Sequence, residues 1–389
     1  MITFDWRWIF CFILIFFLVF GLKVGAWLDS SNVVSLLIIA ARFNRQAIDS
    51  RSLYFLGALS IMAVYTALII FVNGAFYDIW HFFQIPRLIL NGVAIYFLIA
   101  YMSNMAAGTL ERALILGMVL HSLIIVAGMI IPELREAVYS ISGFQSKSDL
   151  RFAGLTQSYG ITSVVHAIGI FLILFSKQLG YGSTHKLLYV LVLFSAQLFL
   201  ARIGLVLSCL FILLKWFTDV RLSKLPIAFL ASACVVLGVY YMFDYFSPEA
   251  QAAIKHSLQL WFYFSEGREI ESLETIQKFI FNNNSFFEYI FGTGHFGRGD
   301  QSTYLATDIA WAHMFSLGGL IYITGVLFVY FYPLMAGKSQ YSFILVVVTL
   351  VILASNYKEA FVFTRSISAV WFFFVFLHFR ALADKYYVR

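Results

Sequence analysis

Charge is scarce in this chain: Asp, Glu, Lys and Arg make up 12% of its 389 residues, against 61% hydrophobic ones. A water-soluble domain carries roughly 25% charged and 45–50% apolar residues, so the shortage argues against a soluble globular protein. Mean hydropathy of +0.86 points the same way. Proline is rare, with five residues, and no low-complexity tract is present. That leaves little room for linkers or a second independent domain, and residues 1–389 are read as a single transmembrane domain. The three cysteines, Cys11, Cys209 and Cys234, lie in apolar runs without paired spacing. They suggest neither a disulfide framework nor a zinc site and are read as packing residues. No H-x-x-x-H or HExxH spacing suggests a metal. The formal charge of +6 is scattered rather than blocked, which argues against nucleic acid and makes phosphate-bearing membrane lipid the expected anionic partner. No internal repeat is visible, and this weakens a transporter built of inverted halves.

What the chain does have is a succession of long apolar runs. A helical crossing takes roughly 20 mainly apolar residues, with about 17–25 tolerated, and lipid forces such runs into helices because their backbone polar groups have no other partners. Candidate spans are Trp8 to Leu22, Ala26 to Ala41, Leu53 to Val72, Arg87 to Met102, Ala113 to Ile131, Tyr159 to Ser176, Leu187 to Leu200, Ile203 to Phe217, Leu225 to Phe243, Ile309 to Tyr332, Phe343 to Ala354 and Phe361 to Phe379. The first could pass for a signal peptide, but similar stretches recur down to the C-terminus, so it is read as a span. The expected fold is an all-α polytopic integral membrane protein with about 12 transmembrane helices.

Lys and Arg beside short loops set the orientation. With the N-terminus inside, Arg42, Arg45, Arg51, Lys177, Lys186, Lys215, Arg221, Lys224, Lys338, Arg380, Lys385 and Arg389 fall on the cytoplasmic side. The outer face then holds Pro132 to Ser158, a turn at Arg202, and one large loop of about 64 residues, Asp244 to Thr307. An outer set of cations remains, among them Arg87, Arg135, Arg151, Arg202, Arg268, Lys358 and Arg365. Guanidinium groups grip phosphate oxygens bidentately and stay charged, so several converging on one cavity would hold a diphosphate.

Arg365 is expected about one turn inside its apolar helix. Lys358, seven residues earlier, would lie on the same helix face, roughly 10.5 Å away along the axis. A charge at such depth costs a few kcal/mol, on the order of 2.5–3.5 at a helix centre, and usually faces a cavity, although Arg365 could also snorkel to headgroups. Arg202, in Leu200-Ala201-Arg202-Ile203-Gly204, is either a site residue or a lipid-phosphate anchor. Gly292-Thr293-Gly294-His295-Phe296-Gly297 matches a dinucleotide fingerprint by letter but lacks the βαβ context, which leaves a plain turn or a backbone approach to phosphate. Asp308 and Trp311 would share a helix face, the carboxylate taking a proton from an acceptor hydroxyl and the indole facing a sugar ring. Asp308 could equally cap the helix, and His313 points about 140° away from it. Glu266 beside Arg268 is a second candidate carboxylate. His121 and His166, mid-span, read as core histidines rather than ligands.

Three patches carry a resemblance. Arg151-Phe152-Ala153-Gly154-Leu155 looks like an Arg-x-x-Gly segment, Leu200 to Leu207 like a short Ser-Arg turn, and Gly292-Thr293-Gly294 through Asp308 to Gly318-Gly319-Leu320 like a Gly-rich loop, acidic residue and following span. Together they resemble the bacterial O-antigen polymerase (Wzy) family, whose general plan the O-antigen ligases share. The chain departs from that pattern at Ala201, where serine is usual, at Gln157 to Gly160, where Pro-Asn is often seen, and at Ile309 after the acidic residue.

The resemblance implies a multi-pass protein of the bacterial inner membrane with its active site facing the periplasm. A growing glycan on undecaprenyl diphosphate would pass to the non-reducing end of a fresh lipid-linked oligosaccharide repeat unit. Arg151, Arg202, Arg268 and Arg365, with Lys358, would bind the diphosphates, and Asp308 would activate the acceptor hydroxyl. Asp308, Arg268 and Arg202 are the expected catalytic residues; Trp311, His313 and His295 join the expected substrate contacts. No cofactor is implied, and a chain-length regulator protein is a candidate partner. The alternatives are a ligase moving polymer onto lipid A core, for which His295 and His313 are imperfect candidates, and a flippase for lipid-linked sugar.

Overall fold

A computed structural model describes residues 6–22, 29–42, 48–76, 79–102, 108–142, 151–156, 158–219, 285–295, 310–357 and 362–387. These are α-helical with connecting turns, and five helices are long and apolar enough to cross a membrane: Ser50–Val72, Phe82–Tyr101, Thr109–Ile130, Ala310–Met335 and Arg365–Asp384. Shorter apolar helices are Trp6–Phe20, Ser30–Arg42, Tyr159–Phe175 and Ser342–Ser355. The protein is therefore a helical membrane-embedded chain. The expected span at Leu225 to Phe243 lies outside the described residues.

The chain divides into two compact units, one formed by 1–30 and 105–268, the other by 31–104 and 269–389. In the first, α1 (Trp6–Phe20) and α5 (Thr109–Ile130) run parallel, because Phe20 stacks on His121 at 4.2 Å while a Cβ on Gly117, one turn earlier, would meet Phe16. α7 (Tyr159–Phe175) runs against α5, with Gly169 seated on Met118. α8 (Ser183–Gln197) returns, and α9 (Arg202–Asp219) runs parallel to α7, Gly204 lying on Ser163 and Phe211 on Phe171 at 5.1 Å. Gly204 lets α9 approach the backbone of α7, and Gly117 and Gly169 make room for side chains of the facing helices, as membrane helix packing favours. One end of this unit carries Arg135, Arg151 and Arg202, and the opposite end carries Arg112, Lys177, Lys186 and Lys215.

The expected outer loop from Pro132 contains an eleven-residue helix, α6 (Pro132–Ser142). Proline suits a first helical position because its missing N–H has no partner there in any case. α6 buries Val138 and Tyr139 against Ile125, Met129, Phe152, Phe199 and Leu200.

In the second unit α2 (Ser30–Arg42), α3 (Ser50–Val72) and α4 (Ile79–Tyr101) lead to α10 (Phe286–Phe291), α11 (Ala310–Met335), α12 (Ser342–Ser355) and α13 (Arg365–Tyr387). α2, with 13 residues, spans only about 20 Å, short of a hydrocarbon core of about 30 Å. α4 begins eight residues before Arg87, the expected start, since the helix runs through Pro86. Transmembrane helices tolerate such a proline where neighbours satisfy the freed carbonyl. α11 runs against α3, Gly325 seated on Met62. Phe55 of α3 is ringed by Trp371, Phe372, Phe376 and Phe379 of α13, at 5.5, 5.8, 5.9 and 6.2 Å. Arg87 and Arg365 consequently lie toward one end of this unit. Arg42, Arg51, Lys338 and Arg380 lie toward the other, where Arg42 stacks over Tyr101 at 3.6 Å.

Candidate functional site

Arg151 and Arg202 come from separate segments and meet in the first unit. Phe152 donates its backbone N–H to the Phe199 carbonyl at 3.2 Å, which lays the Arg151 segment along the turn before α9, and Arg202 is the first residue of that helix. Arg151 lies close enough for its positive charge to act on Arg202. Its guanidinium carbon is 5.9 Å from the centroid of the Tyr159 ring, and the Tyr139 hydroxyl donates to the Arg151 carbonyl at 3.2 Å. Both arginines are half-buried. Two guanidinium groups held within electrostatic range concentrate positive potential, and aromatic flanks keep that potential poorly screened. Tyr139 and Tyr159 were not among the expected site residues. Tyr159, five residues after Gly154, had its nearness in sequence as a signal; Tyr139, twelve residues before Arg151, had none.

In the second unit, Arg365 is the first residue of α13, not a residue one turn inside it. The cause is Phe363, the one non-glycine residue with positive φ (66°) among the described residues. It breaks the helix that the apolar run from Phe361 suggests. Non-glycine residues at such φ store about 1–3 kcal/mol and persist only where surroundings impose them. Here buried Asn356 accepts the Val362 N–H at 3.1 Å, and Phe363 packs against Tyr322 and Tyr330, each at 6.4 Å. With 362–364 non-helical, the helix begins at Arg365 and not at Phe361. Lys358 lies outside the described residues, as do Asp308, Glu266 and Arg268.

Trp311 donates its indole N–H to the Leu353 carbonyl of α12 at 3.3 Å. One edge of the ring thus ties helices together. Asn356 also reaches Met314, so the start of α11, the end of α12 and the Phe363 turn before Arg365 gather at one end of the unit. His313, two residues after Trp311, points about 200° around the helix from it.

The Gly292-Thr293-Gly294 segment resolves to a structural role. Thr293 and Gly294 donate their backbone N–H groups to the carbonyls of Ser316 and Leu317, at 2.7 and 3.0 Å, and Gly292 donates to Glu288 at 2.8 Å. These amides are spent on the protein's own carbonyls and do not cradle a phosphate. They satisfy α11 where it breaks, at Gly318 (φ −137°, ψ 15°) and Gly319 (φ 61°, ψ −158°). His295 follows directly, its N–H 3.4 Å from the Thr293 hydroxyl. The Tyr65 hydroxyl shares its proton between the carbonyls of Phe291 (3.1 Å) and Gly318 (2.9 Å). Tyr65→Phe is expected to cost about 1 kcal/mol and to speed proteolytic cleavage within 285–295, read by limited proteolysis in detergent.

The mid-span histidines are linked. His121 and His166 lie 3.1 Å apart, Ser122 contacts His166 at 3.2 Å, and the Leu155 N–H donates to His121 at 3.0 Å. Among the described residues no group of three or more His, Cys, Asp or Glu side chains could hold a metal ion.

No family model matches this chain, and no curated protein or solved structure matches it either.

Proposed function

We propose that this protein is a membrane glycosyltransferase of the O-antigen polymerase type, acting on undecaprenyl-diphosphate-linked glycans at the periplasmic face of the bacterial inner membrane. The chain crosses twelve times with both ends cytoplasmic and holds Asp244 to Thr307 in the periplasm. The alternating helix directions within each unit support this course, as do the lysines and arginines at the ends assigned to the cytoplasm.

The observation that carries the reading is that the Phe152–Phe199 backbone bond brings Arg151, which lies over Tyr159, within electrostatic range of Arg202, since two neighbouring cations suit a diphosphate and the resemblance assigns them that ligand. Arg151, Arg202, Arg268 and Arg365, with Lys358, bind donor and acceptor diphosphates. Asp308 takes the proton of the acceptor hydroxyl as its oxygen bonds to the anomeric carbon of the growing glycan. The bond from that carbon to the diphosphate breaks, and the leaving diphosphate carries away the electron pair. Donors already aimed at that growing charge lower the barrier by several kcal/mol. Trp311, His313 and His295 contact the sugars.

A flippase would need a broken helix or cavity left open to its cargo. The break in α11 is instead filled by Thr293 and Gly294. Alanine at Arg202, Arg268 or Arg365, at unchanged protein level, is expected to remove long polysaccharide from gels of the bacterial host and to leave single lipid-linked repeats. Full-length chains in all three variants would refute the assignment; accumulation of long lipid-linked polymer would point to a ligase.

A further inference from the structure

We infer that His121, backed by His166 and Ser122, is a positioning residue that holds the Arg151 segment from inside the membrane core so that Arg151 stands beside Arg202 to receive a diphosphate. This rests on the glycosyltransferase reading and deepens it.

The backbone decides which ring nitrogens carry protons. The Leu155 N–H donates to His121 Nε2 at 3.0 Å, so Nε2 holds the lone pair and the ring proton of neutral His121 sits on Nδ1. Nδ1 then donates to His166 Nε2, 3.1 Å away, which leaves the His166 proton on Nδ1, facing Ser122 Oγ at 3.2 Å. Each ring is a neutral tautomer, and the chain of donors runs one way, from the Leu155 amide to Ser122. Both histidines are fully buried, and Phe20 stacks flat on His121 at 4.2 Å with 15° between the planes. A buried polar pair between apolar helices is retained only where its hydrogen bonds are complete. Here the bond that completes it belongs to a backbone amide four residues after Arg151.

Gly154 fits the same purpose. Its φ is +62°, and a Cβ there would stand 2.7 Å from His121 Nε2 and 3.0 Å from Ile125, so only glycine lets the segment lie on the ring. At the other end of the segment, Phe152 bonds the Phe199 carbonyl and is itself fully buried, and Tyr139 holds the Arg151 carbonyl. The backbone is thus fixed on both sides of Ala153 while the Arg151 side chain stays half-exposed.

The test uses full-length protein in lipid nanodiscs, with two readouts: hydrogen exchange of the Leu155 amide, and binding of undecaprenyl diphosphate followed by native mass spectrometry. His121→Leu removes the acceptor; His121→Gln keeps an oxygen that can accept the same bond. Exchange at Leu155 is expected to quicken about tenfold in His121→Leu, diphosphate binding to weaken about tenfold, and His121→Gln to restore both to within about threefold. Gly154→Ala, which pushes the segment off an intact ring, should reproduce the leucine phenotype and serves if His121→Leu does not fold. Unchanged Leu155 exchange in the leucine and alanine variants overturns the inference, as does faster exchange with undiminished binding, which marks a merely structural bond. Wild-type protein that binds no undecaprenyl diphosphate defeats the glycosyltransferase reading and, with it, the purpose assigned to His121.

Discussion

Alanine at Arg202 is expected to slow elongation of lipid-linked repeats by about 10²–10³-fold per protein molecule, the loss that follows removal of one preorganised donor from a site where charge develops. Arg202 is the first residue of its helix and lies in range of the Arg151 charge, so its backbone is set at the candidate site before substrate arrives. Arg202→Lys should recover only part of the rate, because an ammonium supplies a point charge in place of a two-pronged donor. Arg365→Ala should fall in the same range. Its place at the start of α13 is held by the strained turn at Phe363, a cost that a lipid anchor would not require. Arg42→Ala is the control, since Arg42 stacks on Tyr101 toward the opposite end of the unit that contains Arg365. Its turnover should stay within about threefold of wild type, as expected for a half-buried side chain away from the candidate site. Initial rates with purified variants check all four.

The second large effect is structural. Gly319→Ala should cost about 3 kcal/mol or more, seen as a lowered melting midpoint in detergent and poor recovery of monodisperse protein. Gly319 adopts φ 61° and ψ −158°, a region reserved for glycine, and an added Cβ would stand 2.5 Å from the carbonyl carbon and oxygen of Ile290 and 2.6 Å from the Gly292 nitrogen. All three are backbone atoms that cannot swing aside. Gly57, inside α3, has nothing within 4 Å of its would-be Cβ, so Gly57→Ala should be neutral or raise the midpoint slightly, by about 0.5–1 kcal/mol of helix propensity. Equal behaviour of the two variants would mean that the break in α11 does not hold the 292–294 segment.

The crossing helices were legible because length and apolarity alone force them. The expected Leu53 to Val72 run lies within Ser50–Val72, and Ser342–Ser355 contains the whole of its expected run, Phe343 to Ala354. α6 was missed because a helix with one buried face and several charges does not register as an apolar run, although Pro132 at its head was a usable sign. Arg151 and Arg202 were both recognisable as outer cations. Their approach depends on long-range contacts, among them the backbone bond between Phe152 and Phe199 and the bond from Leu155 to His121, which no local pattern announces. Arg365 was placed a turn too deep because a positive φ at phenylalanine is a tertiary effect, and the partners of His121 are likewise long-range. The Gly292-Thr293-Gly294 pattern alone allows a turn or a backbone approach to phosphate, and only the hydrogen bonds to Ser316 and Leu317 distinguish the two.

The most direct test is reconstitution: purified protein in proteoliposomes, given a defined undecaprenyl-diphosphate-linked repeat unit, with products weighed by mass spectrometry. Glycosyl transfer predicts lipid-linked chains that lengthen by whole repeats, a process lost in the Arg202→Ala protein. Substrate that crosses the bilayer unaltered, or that never grows beyond one repeat, would contradict it.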